Sequence, residues 1–153
     1  IMIKYNQFKK REIDECKCIH LSFDIEAKPK QSVRGGKYGF YKDPKVKKYE
    51  NQLIALTKPQ LKGVYLSGAI NYYAVYTFQL PKNAPKWAKE EIEKGNTIYK
   101  STKPDLTDNL NKGIVDAITP LFMANDSRIA RCEITKVYGK TSGIKVSFCE
   151  LEM

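Results

Sequence analysis

The stretch KPDLTDNLNKGIVDAITPLF, residues 103–122, decides the fold. Leu106, Leu110, Gly113, Ile114, Ala117, Ile118 and Leu121 recur at the spacing of one helix face, a continuous apolar stripe that has to be buried. Pro120 ends or bends this helix, because proline lacks the N–H and its ring collides with the preceding turn. Asp105 stands at the start of the helix. Asp108 and Lys112, four residues apart, lie together on its exposed face.

Working outward, the segments on both sides read as strands. From Ala69 to Leu80 the residues Ile70, Tyr72, Ala74, Tyr76, Phe78 and Leu80 alternate onto one face, giving a long strand. Two more strands follow the helix, about Arg128 to Tyr138 and Ile144 to Leu151, joined by the hairpin loop Gly139-Lys140-Thr141-Ser142-Gly143. Near the start of the chain, Ile19, Leu21, Phe23 and Ile25 alternate with His20, Ser22, Asp24 and Glu26, the pattern of a half-buried strand. Asp43-Pro44 is a helix start, followed by Val46, Tyr49, Leu53 and Leu56 at helical spacing and stopped by Pro59. Residues 27–42 predict a loop or loose hairpin, 85–94 a short helix ended by Gly95, and 96–104 a loop. The order is β-α-β-α-β-β. The expected fold class is α+β: a single domain, with a mixed β-sheet and helices packed mainly on one face. Residues 1–17, polar and weakly patterned, are expected to form an N-terminal arm before a domain spanning 18–153.

The chain has 153 residues, 42% of them hydrophobic, enough for one core. No run of about 18 apolar residues exists, which excludes a transmembrane helix. The first residues have no apolar leader pattern, and the expected location is cytoplasmic. The net charge of +10 points to a polyanion partner, since surface cations displace the counterions condensed on a phosphate backbone; charge for solubility alone is the plain alternative. Cys16, Cys18, Cys132 and Cys149 do not follow a zinc-site spacing and read as reduced thiols. Cys16, Cys18 and His20 share one strand face, but residues two apart on a strand are separated by about 7 Å, too far to share a metal.

Basic residues concentrate in 27–58, which holds nine of them against Asp43 and Glu50. Tyr38, Phe40 and Tyr41 are interleaved. Lysines and arginines neutralise phosphates, and exposed rings stack on unpaired bases. Lys28, Lys30, Arg34 and Lys37 are therefore candidate DNA contacts, and Lys100 and Lys103, close to the acidic stretch, are two more. The helical part of 82–103 is diluted by Glu90, Glu91 and Glu93 and reads as solvated.

The acidic constellation is Asp105, Asp108 and Asp126, the last at the mouth of the following strand. Phosphodiester hydrolysis builds negative charge on the phosphate, and a hard divalent ion held by carboxylates offsets it and acidifies a water. A neighbouring lysine such as Lys112 adds charge stabilisation. The structural alternative is equally definite. Asp105 would be a helix cap, and Asp108 with Lys112 an i,i+4 ion pair contributing about 0.3 to 0.5 kcal/mol.

A resemblance bears on the choice. Lys103-Pro104-Asp105-Leu106-Thr107-Asp108-Asn109-Leu110-Asn111-Lys112, then Asp116-Ala117-Ile118, then Asn125-Asp126-Ser127-Arg128-Ile129, resembles the signature of RusA-type Holliday junction resolvases. The family pattern runs Lys-Pro-Asp-x-Asp-Asn-Leu-x-Lys, then Asp-Ala-Leu, then Asp-Asp-x-Gln-Ile or Val. The resemblance implies that Asp105, Asp108 and Asp126 bind Mg2+, with Mn2+ able to substitute, and that Lys112 is required for cleavage. It also implies a homodimer acting on branched DNA, specifically a four-way junction, and an origin often in phages or prophages. Two departures stand out. Leu106 and Thr107 both intervene where the family has one residue, so either Asp105 is displaced by a loop adjustment or Thr107 takes the ligand position. Asn125 replaces the first Asp of a pair, and Arg128 stands where Gln is commoner. A DNA-binding module of the same fold that has lost cleavage, and a nuclease preferring flaps or forks, are the competing readings.

Overall fold

The computed structural model describes residues 17–29, 34–36, 39–41 and 43–151, with Asp108 and the residues within 34–41 described through their backbone. The expected arm lies outside the described residues except for Lys17.

Strand β1, Cys18–Phe23, buries Ile19, Leu21 and Phe23 and leaves His20 and Ser22 exposed, as its alternation requires. It pairs antiparallel with β7, Gly143–Glu150, in a register that sets Ile19 opposite Phe148, Leu21 opposite Val146 and Phe23 opposite Ile144. A short antiparallel hairpin follows, β2 (Arg34–Gly36) with β3 (Gly39–Tyr41), within the segment read as a loop or loose hairpin. β4, Ile70–Gln79, lies beside β7 antiparallel and beside β6, Ile129–Gly139, parallel. The two-residue β5, Ile98–Tyr99, completes the order β1-β7-β4-β6-β5. The stretch 96–104 was expected to be loop throughout; two residues are too few to show a period.

Helix α1, Pro44–Thr57, starts where Asp43 accepts the Lys45 N–H at 2.8 Å and Pro44 supplies a preset φ. Its buried residues are Val46, Tyr49, Leu53 and Thr57. The stripe therefore passes to Thr57 rather than to Leu56, which is 38% exposed. Thr57 is tolerated there because its hydroxyl donates to the Leu53 carbonyl at 2.7 Å. Helix α2, Lys86–Glu93, ends ahead of Gly95, whose φ of +82° suits glycine. Helix α3, Lys112–Ile118, packs against α1, and a 3-10 turn containing Pro120 follows it. Leu110, Ile114 and Ile118 meet Tyr72, Tyr76 and Phe148 in one core on one face of the mixed sheet. The α+β reading holds.

One expectation is corrected. Cys18 and Cys149, read as reduced thiols, are disulfide-bonded to each other. They are direct partners in the β1–β7 register with Cα atoms 4.1 Å apart, a proximity that 131 residues of intervening chain conceal. Cys132 is a free, exposed thiol.

Candidate active site

The segment that carries the acidic motif is not a plain α-helix. Residues Leu106–Asn111 form a π-helical turn in which the Leu110 N–H donates to the Asp105 carbonyl at 3.1 Å, five residues back. An α-turn closes over four residues and a π-turn over five, so this turn holds one residue more while Leu106 and Leu110 still point to the core. Leu106 and Thr107, the two residues between Asp105 and Asp108, both lie in this turn.

Asp105 occupies the N-cap position, yet its side chain makes no capping bond. Its carboxylate is exposed, with the Asn109 amide at 3.5 Å. The capping alternative, in which the carboxylate is consumed by backbone N–H groups, does not describe this residue. Asp105 lines a cleft of about 610 Å³ together with Glu26, Lys28, Lys100, Lys103 and Asn109. Three of the six cations read as DNA contacts thus surround it. Lys30 and Lys37 lie outside the described residues, and Arg34 is described only as backbone in β2.

Lys100 is held firmly. Its ammonium donates to the Thr102 hydroxyl at 2.8 Å and to the Tyr138 hydroxyl at 3.3 Å, and stands over the rings of Phe78 (5.3 Å) and Tyr138 (4.9 Å). The Thr102 hydroxyl, and then Lys100, hold the Tyr138 phenol below its ordinary ionisation range. Beneath the motif, Tyr76 donates to Asn111 Oδ1 at 3.1 Å and shares a 3.2 Å contact with the Tyr72 hydroxyl. Burial pushes both phenols far above the ordinary value, so they stay neutral hydrogen-bonding groups. On β6, Lys136 donates to the carbonyls of Thr102 and Pro104, the latter at 2.7 Å.

Asp126 opens the 3-10 turn Asp126–Arg128 and is exposed. Its neighbour Asn125 does the capping, accepting the Ser127 N–H at 2.8 Å. An amide oxygen serves that purpose as well as a carboxylate, which accounts for asparagine at this position. Asp126 lines a separate cleft of about 280 Å³ with Asp116 and Asn125. Lys112 is exposed at the first residue of α3. Among the described residues, from which the Asp108 side chain is missing, no three carboxylate, histidine or cysteine side chains converge as a metal cluster.

The model of the family described as Endodeoxyribonuclease RusA matches residues 23–148. The chain belongs to the RusA endodeoxyribonuclease family. A relative in Bacillus subtilis (strain 168), named only as uncharacterized protein YqaN, is 30% identical over 129 residues, covering 82% of this chain and 89% of the relative. In this RusA-family chain the π-turn coincides with the residue that interrupts the motif. The sequence reading passed over Lys136, Tyr76, Asn111 and Glu26. Lys136 had a visible signal, because strand parity puts it on the helix-facing side of β6 with Ile134 and Tyr138, an unusual place for a lysine. Glu26, beyond the end of β1, had none.

Proposed function

We propose that the protein is a metal-dependent endonuclease that resolves four-way DNA junctions by paired nicks. The carrying observation is the exposed, uncapped Asp105 carboxylate in a cleft lined by Lys28, Lys100 and Lys103, in a chain of a nuclease family. Asp105, Asp108 and Asp126 would hold Mg2+, with Mn2+ able to substitute; hard carboxylate oxygens fit such an ion, and Asp126, which opens on a cleft of its own here, would have to turn toward Asp105 to share it. The ion would offset charge on the scissile phosphate and acidify the attacking water. Lys28, Lys100 and Lys103, with Lys30, Arg34 and Lys37 from the adjoining segment, hold the DNA backbone and orient the phosphodiester. Lys112 stabilises the charge that develops on the phosphate as water adds and the bridging P–O bond breaks. Of Asp105 and Thr107 as the first ligand, the reading takes Asp105, which lines the lysine-rich cleft.

A four-way junction is resolved by symmetric cuts, so the working form is a homodimer with residues 18–153 as the catalytic unit. The substrate puts the protein in the cytoplasm with DNA. No helix among the described residues is long and apolar enough to cross a membrane.

The test is incubation of the full chain with labelled four-way junctions and matched linear duplex, with and without Mg2+ or Mn2+, beside Asp108→Asn. Paired, metal-requiring nicks that vanish in the variant are expected. Junction binding without nicks in any metal would leave a DNA-binding module of the same fold.

A further inference from the structure

We infer that Lys136 and Tyr76 act as a pair of positioning residues that hold the acidic turn in register, Lys136 from the Asp105 side and Tyr76 from the Asn111 side. The inference rests on the nuclease reading above.

The two residues are direct partners in the parallel β4–β6 register, so their side chains rise from adjacent points on the helix-facing side of the sheet. Lys136 grips the incoming segment three times. Its ammonium donates to the Thr102 and Pro104 carbonyls, the second at 2.7 Å, and its own carbonyl accepts the Lys100 N–H at 2.9 Å. Asp105 is the next residue in the chain. Tyr76 takes the other end, donating to Asn111 Oδ1 at 3.1 Å, and is itself buried with Tyr72 behind it. Between the grips lies the π-turn with Asp105, Asp108 and Asn109.

That turn needs outside support. A π-turn is rarer than an α-turn and is seldom sustained beyond a single turn, so its own hydrogen bonding specifies its register weakly. A shift by one residue would re-aim the side chains that the turn carries relative to Asp105. Bonds from an ammonium to main-chain carbonyls are charge-assisted and short, and a buried phenol has little freedom to follow a moving partner. Groups that orient metal ligands from behind typically change metal affinity or activity by about 10- to 100-fold when removed.

The experiment uses the full chain and the variants Lys136→Met, Lys136→Arg and Tyr76→Phe. It reads amide hydrogen exchange over 101–112 without metal or DNA, Mn2+ affinity from the free-ion paramagnetic signal, and kcat and KM for junction cleavage against Mg2+ concentration. In Lys136→Met we expect faster exchange at 101–106, Mn2+ affinity weaker by about 10- to 100-fold, cleavage recovered at high Mg2+ and an unchanged KM for DNA. Lys136→Arg, still able to donate to both carbonyls, restores exchange and Mn2+ affinity. Tyr76→Phe moves exchange at 109–112 and weakens Mn2+ binding.

A folded Lys136→Met with wild-type exchange and Mn2+ affinity overturns the proposal. So does a loss of kcat that saturating metal does not recover while Mn2+ affinity is intact, which would make Lys136 a direct participant. If Lys136→Met does not fold, Tyr76→Phe is judged by the same readouts, and wild-type exchange at 109–112 with wild-type Mn2+ affinity in that variant overturns the pair. A wild-type protein that neither binds Mn2+ nor cuts would remove the metal reading, while hydrogen exchange still decides whether the turn is held this way.

Discussion

Asp105 and Asn125 show how two residues of cap-forming type take opposite tasks. Asn125 satisfies a backbone N–H, whereas Asp105 at a cap position does not. The stability consequences differ accordingly. Asn125→Ala should cost on the order of 1 kcal/mol, the usual loss for a working cap, seen as a lowered Tm. Asp105→Ala should leave Tm unchanged within error and abolish metal-dependent cleavage. A clear stability loss in Asp105→Ala with cleavage intact would return Asp105 to a structural role. Residue types and spacing pointed to Asp105 and Asp126 from the sequence, but which of their neighbours is the cap depends on backbone dihedrals that spacing does not encode.

The helical element is where the resemblance to the family motif is interrupted. The apolar stripe from Leu106 to Leu121 was legible because burial selects it directly, and Leu110, Ile114 and Ile118 are fully buried. The π-turn was not legible, since an inserted residue can be taken up by a loop, a shifted register or a wider turn, and these share one hydrophobic pattern. Deleting Thr107 should convert the turn to an ordinary α-turn, restore the one-residue spacing of the family motif, raise Tm and retain metal-dependent cleavage. Complete loss of cleavage in a folded deletion variant would mean that the extra residue itself takes part in the site. β5 escaped the sequence reading for another reason: its two residues are strand only because β6 offers an edge at Val137 and Tyr138.

Across the whole molecule, charge and topology converge on one cleft. Most of the +10 net charge is carried by residues 27–58, and from that segment Lys28 comes to stand with Lys100 and Lys103 around Asp105. Plots of log affinity for junction DNA against log salt should be steep, and alanine at any one of the three lysines should reduce the slope by about 1. An unchanged slope in all three would place the DNA elsewhere. The sheet also carries the Cys18–Cys149 disulfide, which closes nearly the full length of the domain. Cys149→Ser should destabilise the protein by about 2 to 4 kcal/mol in non-reducing buffer, measured by denaturant unfolding. The same substitution should cost little once a reductant has opened the bond in the parent chain.

The sequence by itself determined the order of the long strands and helices, the buried faces of β1, β4 and the helix that follows the acidic motif, the motif itself and the family resemblance. Each is local or periodic, and a hydrophobic stripe or a fixed spacing is written in neighbouring residues. Only the tertiary structure decided that Cys18 faces Cys149, that Asp105 shares a cleft with Lys28, and that Lys136 and Tyr76 bracket the π-turn. These depend on strand register and on contacts between residues distant in the chain, which are settled when the sheet pairs and the core closes rather than by any segment alone.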